Sequence, residues 1–365
     1  MRRVILVAAA ALAVAATAMP AQAAPVTIKK GIWGPVTLGG VSQFPVYADL
    51  GVGIFHMAVR WDQVAPARPA DPSDPADPAY AWPPEVDQAI QEAGRYGIRV
   101  SVMLVGSPPW ANGGRAWNWA PRRPADFAAF ATAASRRWPA VRHWLVWGEP
   151  TKASNWQPLV SDRGRPLRTA RQRRGPRLYA RVLDAAYAAL KRVARRNLVI
   201  GGNTYTVGTV RPLHFIRALR LPNGRPPRMD LWGHNPFSLR RPDLSARPLG
   251  SGYADFSDLD TLAAKLDRAR RRMPPSQRRL RIFISEYSLP TGHPNVEFNF
   301  YVSEQRQADW IARALRIARS WRRIYSFGYL GLYDDPERAD GRQVERGLIR
   351  RDGTRKPAYR AYRDG

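Results

Sequence analysis

Two glutamates stand at the ends of apolar, strand-forming runs. Glu149 closes Trp144-Leu145-Val146-Trp147-Gly148-Glu149-Pro150, and Glu286 closes Leu280-Arg281-Ile282-Phe283-Ile284-Ser285-Glu286-Tyr287. A carboxylate carried to the end of a buried strand is costly without a partner, so a chain that does this twice has a use for both groups. One chemistry needs such a pair. A protonated carboxyl gives its proton to a leaving oxygen while an ionised one attacks the anomeric carbon, which is hydrolysis of a glycosidic bond. The plainer alternative, a helix cap or an arginine partner for each glutamate, has to hold independently at two matching strand ends.

Positioning the pair requires strands that end side by side. Eight short apolar runs alternate with helical patterns: Gly31–Trp33, Gly53–Arg60, Arg99–Val105, His143–Trp147, Leu198–Gly202, Met229–His234, Arg281–Ser285 and Ile324–Tyr329. Between them, Pro84–Tyr96, Ala125–Trp138, Arg177–Arg196, Ser257–Arg272 and Ser303–Arg319 carry apolar residues at helical spacing. No Gly-rich nucleotide fingerprint follows the first strand, and eight repeats in this length predict an α/β chain forming one (β/α)8 TIM barrel over residues 24–365. Long connections at Ala65–Pro83, Thr151–Pro176, Phe237–Phe256 and Tyr287–Val302 all follow strands, the side on which such barrels build their sites. The first is punctuated by Asp71-Pro72, Asp74-Pro75 and Asp77-Pro78 and is read as loop.

At these residues the chain resembles the large clan of retaining (β/α)8 glycosidases that includes the family 5 cellulases and the family 39 xylosidases, over most of its length after residue 23. The resemblance implies that Glu149, in a Trp-Asn-Glu-Pro-like setting on the fourth strand, is the acid/base, and that Glu286 on the seventh is the nucleophile. Gly148 departs from the pattern, since the clan places there an Asn that bonds the sugar 2-hydroxyl; Asn203 is the expected substitute. The run Gly53–Trp61 resembles the clan's second strand, with His56 at the place of an arginine that supports the nucleophile and Arg60 one pleat further along the same face. His234-Asn235-Pro236 resembles a substrate-contacting position on the sixth strand. Aromatic residues for stacking sugars are expected at Trp110, Trp117, Trp119, Trp156, Tyr205, Tyr287, Tyr329 and Tyr333, Tyr329 standing nearest to the clan's eighth-strand tryptophan.

The ends and the composition bound the rest. Basic Met1-Arg2-Arg3, an apolar run to Met19 and small Ala21-Gln22-Ala23 form a signal-peptide pattern over residues 1–23, which predicts a secreted, extracellular protein without a membrane span. There is no cysteine among 365 residues, so thiol chemistry is excluded. Five scattered histidines predict no metal, and the chemistry needs no cofactor. The formal net charge of +29 is almost all arginine, spread over helices and loops, and is read as a solvated surface and not as a specific nucleic-acid site. The dense segment Arg163–Arg177 is the exception, a candidate to touch an acidic polysaccharide or the cell envelope. The expected partner is an oligo- or polysaccharide substrate, with linkage, sugar and oligomeric state left open. Gly148 keeps a rival alive: a catalytically silent barrel that binds envelope polysaccharide.

Overall fold

The computed structural model describes residues 29–292, 300–341 and 343–365. Eight strands close into an all-parallel barrel: β1 Lys29–Trp33, β2 Val52–Arg60, β3 Arg99–Val105, β4 His143–Val146, β5 Leu198–Tyr205, β6 Leu231–Asn235, β7 Arg281–Ile284 and β8 Ile324–Leu330. Each pairs with its neighbour in sequence. Closure is made by β1, which pairs with β8 through Gly31 and Gly328 and with β2 through Trp33 and His56. A helix follows every strand: α1 Phe44–Asp49, α2 Pro84–Arg95, α3 Pro124–Arg137, α4 Ala170–Val193, α5 Pro212–Ala218, α6 Leu259–Arg270, α7 Glu304–Ser320 and α8 Pro357–Asp364. The expected (β/α)8 TIM barrel, with one domain in the described residues, is the observed one. Residues 1–23, read as an export segment, lie outside the described residues. No described helix is long and apolar enough to cross a membrane.

The strands read as near-continuous apolar runs because both their faces are buried. Ile54, Leu145, Ile200, Leu231 and Phe283 fill the barrel, while Trp144, Val146, Val199 and Trp232, one residue out of phase with them, pack under the helices. Two boundaries differ from expectation in ways that bear on function. Helix α4 starts at Ala170, seven residues ahead of Arg177, because Thr169 and Gln172 form a reciprocal capping box. Pro176 therefore lies inside the helix and not before it. Strand β5 runs on to Tyr205 through a register shift between Gly201 and Thr204 that leaves Gly202 and Asn203 at positive φ, 89° and 41°. Such a bulge re-aims side chains at a strand end.

The Asp-Pro loop is three successive turns of one kind. Asp71, Asp74 and Asp77 each accept a hydrogen bond from the backbone N–H two residues on, at 2.9 Å in every case.

Candidate active site

Strand β4 delivers Glu149 to the barrel mouth by breaking its own alternation. Leu145 points inward, so Trp147 should as well, yet Trp147 has φ 67° and packs outward against Phe127 of α3 and Trp156. Glu149 itself has φ 43°. Non-glycine residues at positive φ are strained, and strain concentrated at a strand end must be held by the surroundings. Here Trp147 Nε1 donates to the Asn155 carbonyl at 2.7 Å, and Lys152 N donates to the Glu149 carbonyl at 2.9 Å, closing a turn.

That turn brings Lys152 back over the carboxylate. Glu149 is only 8% exposed, and both its oxygens are engaged. Oε1 accepts from Asn235 Nδ2 at 3.0 Å, and Oε2 lies 2.6 Å from Lys152 Nζ. The Lys152 ammonium also sits 3.8 Å from the centre of the Tyr205 ring. Burial alone would lower its pKa, but the charge and hydrogen bond of Glu149, then Tyr205 and Glu286, outweigh that and hold it above the ordinary lysine value. Half-buried Glu286, two residues past the end of β7, thus acts on the same ammonium as Glu149.

A hydrogen-bonded chain ties the two strand ends together. Ser285 Oγ contacts Asn235 Oδ1 at 2.7 Å and Asn203 Oδ1 at 2.9 Å, and Asn203 Nδ2 donates to the Trp147 carbonyl at 3.2 Å. The residue before Glu286 therefore reaches the amide that grips Glu149. Trp33 Nε1 donates to the Ser285 carbonyl at 2.9 Å and closes the arrangement from β1. Among the described residues no group of three or more His, Asp or Glu is placed to hold a metal ion.

The expected ligands divide sharply. Asn235 and Tyr205 line the mouth beside Glu149 and Lys152. Asn203 is fully buried with its amide used on Trp147 and Ser285, so it holds strand ends together and does not replace the missing sugar contact. Arg60 forks onto Asp62 through Nε and Nη2, at 2.8 and 2.6 Å, and stacks on Trp117 at the rim. His56 is corrected to a core residue. It is 1% exposed, bonded to Ser101 at 2.5 Å and stacked beneath Trp33.

His234 is corrected for a different reason. Strand β6 ends on Asn235, which puts Asn235 inward and His234 on the opposite face, where its ring meets Thr204 Oγ1 at 2.8 Å and the Ala254 carbonyl at 3.0 Å. Trp156, Tyr287 and Tyr329 are each 0% exposed and seal the barrel to its helices and loops. Trp110 donates to the Ala65 carbonyl at 2.9 Å, and the Arg68 guanidinium covers its ring at 4.7 Å. The first three offer no free face to a sugar, and half-buried Trp110 has a face under Arg68.

Gly148 has a local explanation. A Cβ there would meet the Met103 sulfur at 2.9 Å, so β3 fills the room that a side chain would take. Sequence reasoning missed Lys152, Asn155, Ser285 and Met103. Lys152 was within reach, because a cation three residues after a carboxylate faces it across any tight turn.

No family model and no curated protein matches this chain. Solved structures do match in fold. A family 39 glycoside hydrolase from Bacteroides cellulosilyticus superposes with TM-score 0.60 at 15% identity, over 88% of this chain and 59% of its own. A glucosidase from Croceicoccus marinus gives 0.62 at 16% identity, over 93% of this chain and 66% of its own. A family 39 β-xylosidase from Caulobacter crescentus gives 0.60 at 15% identity, over 93% and 71%. This chain thus spans about three fifths to seven tenths of the length of these barrel-containing proteins.

Proposed function

We propose that the protein is a retaining glycoside hydrolase acting on an O-glycosidic bond, β-linked, in an oligo- or polysaccharide. The observation that carries this reading is the joint placement of Glu149 and Glu286 at one barrel mouth, both acting on Lys152 and linked through Asn235 and Ser285. The likeness to family 39 barrels supports it. Asn235 fixes Oε1 of Glu149, leaving Oε2 as the oxygen that carries the proton once a leaving group displaces the Lys152 contact. Glu149 passes that proton to the glycosidic oxygen as the bond from C1 breaks, and a Glu286 oxygen bonds to C1 to give a glycosyl ester. Glu149 then takes a proton from water, whose oxygen attacks C1 and frees Glu286. The export pattern of residues 1–23 supports action outside the cell.

The ion pair between Lys152 and Glu149 favours the rival reading, a silent polysaccharide-binding barrel, because it occupies the oxygen an acid would use. Turnover of a panel of aryl β-glycosides, run beside Glu149→Gln and Glu286→Gln, separates the two. Activity lost in both variants supports hydrolysis. A panel untouched by the unmodified protein, with polysaccharide still bound, supports the rival.

A further inference from the structure

Arginines that are far apart in sequence converge on one flank of the barrel. On α4, Arg171, Arg174, Arg177 and Arg181 are all exposed and share roughly a third of the helix circumference over about 15 Å. Three cavities of about 630, 400 and 250 Å³ meet along them, the first sharing Arg174 and Arg181 with the second and Arg177 and Arg220 with the third. Arg115 and Arg122, from the loop after β3, line the second cavity; Arg173 and Arg217 line the third. The result is a continuous groove and not three isolated pits.

Its charge is not neutralised. No carboxylate lines any of the three cavities, and among the described residues none of these arginines has an ion-pair partner. The four on α4 make no side-chain hydrogen bond either, while Arg173 and Arg220 donate to backbone carbonyls. The 1010 Å³ cavity between α7 and α8 is also basic, with Arg316, Arg319, Arg350, Arg355, Arg360, Arg363 and Lys356 in its lining, but there Asp309 and Asp364 stand among the cations. Clustered like charges repel, so a groove held this way is stabilised by an anionic occupant.

We propose that this groove binds an anionic glycan, a chain carrying carboxylates that the forked guanidiniums take in pairs. Its anionic character stands on the arginines alone; that the anion is a glycan rests on the hydrolase reading. The upper end of the groove adjoins the candidate site. Ala120 N donates to the Gln157 carbonyl at 2.8 Å and Asn118 Nδ2 to the Ser154 carbonyl at 3.0 Å, so the groove wall is stitched to the segment that follows Glu149. A single nucleic-acid strand would need free aromatic faces, and the aromatic ring in the lining, Trp119, is covered by Arg115 at 4.0 Å. A membrane surface would need an apolar side chain to insert, and none of the large exposed ones lies in the groove.

The test is binding of fluorescein-labelled polygalacturonate to the purified full chain at 0.15 M salt, with neutral galactan, duplex DNA and phosphatidylglycerol vesicles in parallel. Reversal of three charges, Arg174→Glu with Arg177→Glu and Arg181→Glu, should weaken polygalacturonate binding at least tenfold. The same change of charge at exposed Arg271, Arg272 and Arg306 should leave it within twofold. A triple Gln variant repeats the measurement if the reversal fails to fold. Equal losses from both triples, no binding by the unmodified chain, or tighter binding of DNA or vesicles through the same arginines would each overturn the proposal. Turnover of neutral aryl glycosides keeps the two readings apart: turnover without binding sinks the groove alone, and binding without turnover sinks the hydrolase alone.

Discussion

The same barrel buries polar groups at two levels, and it treats them in opposite ways. Below Trp33, His56 and His143 lie among Ser101, Phe283 and Tyr325, with His56 Nε2 and His143 Nδ1 left without hydrogen-bond partners. Burial pushes both imidazoles down to a pKa of about 3, reinforced at His143 by the Lys29, Arg99 and Arg142 cations, so they stay neutral. At the mouth, Glu149 is nearly as buried but keeps the Asn235 amide on Oε1 and the Lys152 cation, with the Asn155 amide at 3.5 Å, on Oε2. Burial alone therefore produces a neutral filler. A reactive group needs burial together with partners that a substrate can displace, and only the mouth supplies them.

The largest effects should follow from breaking the mouth. On the proposed mechanism Glu286→Gln removes the nucleophile and should abolish turnover of every substrate. Glu149→Gln should cost about 10²–10⁴-fold on poor leaving groups but much less on dinitrophenyl glycosides, which need no proton. If both variants lose the dinitrophenyl substrate equally, Glu149 is not the acid. The lower level should show in stability and not in turnover. Unfolded histidine takes up a proton near pH 6.5 and the buried rings only near 3, so stability is complete above 6.5 and falls as the pH drops through that window. The loss is about 1.4 kcal/mol per pH unit for each histidine. His143→Phe should flatten the fall in Tm between pH 6.5 and 3; Tyr325 still accepts from Lys29 at 2.9 Å. An unchanged slope would mean that His143 titrates normally. Asn235→Ala strips a donor from Glu149 and a partner from Ser285, and should cost about 1–3 kcal/mol of stability with about a tenfold fall in kcat. Turnover unchanged in a folded variant would detach Asn235 from the chemistry.

The barrel was legible because parallel strands buried on both faces read as apolar runs, and Glu149 and Glu286 stood out against them. What was hidden depended on geometry between distant residues. Pro176 masked the first two turns of α4, since a capping box upstream of it leaves no trace in apolar spacing. His234 and Asn235 were both expected at the site, but neighbours on a strand face opposite ways, and only the course of β6 to Asn235 shows which of the two turns inward. Trp156, Tyr287 and Tyr329 follow their strands as a sugar platform would, and only packing shows that they seal loops.

Gly148 is the finest point of contact between the two levels. The reason for its missing side chain comes from β3, where Met103 packs against the barrel filling of Ile54 and Leu145 while its sulfur backs onto Gly148. Gly148→Ala would place a Cβ 2.9 Å from that sulfur, a contact that a flexible thioether relieves by turning, so the cost should be only about 1 kcal/mol. Gly148→Asn alone should cost more, because the amide needs room that the sulfur and the Cε methyl of Met103 occupy. Combining it with Met103→Ala opens that room at the expense of a core contact. If the Gly148 position is only a steric accommodation, the double variant should recover turnover and lower KM by offering an amide to the sugar 2-hydroxyl. If KM is unmoved while the variant folds, the substrate is bound without that contact, and Met103 belongs to the way this mouth recognises its sugar.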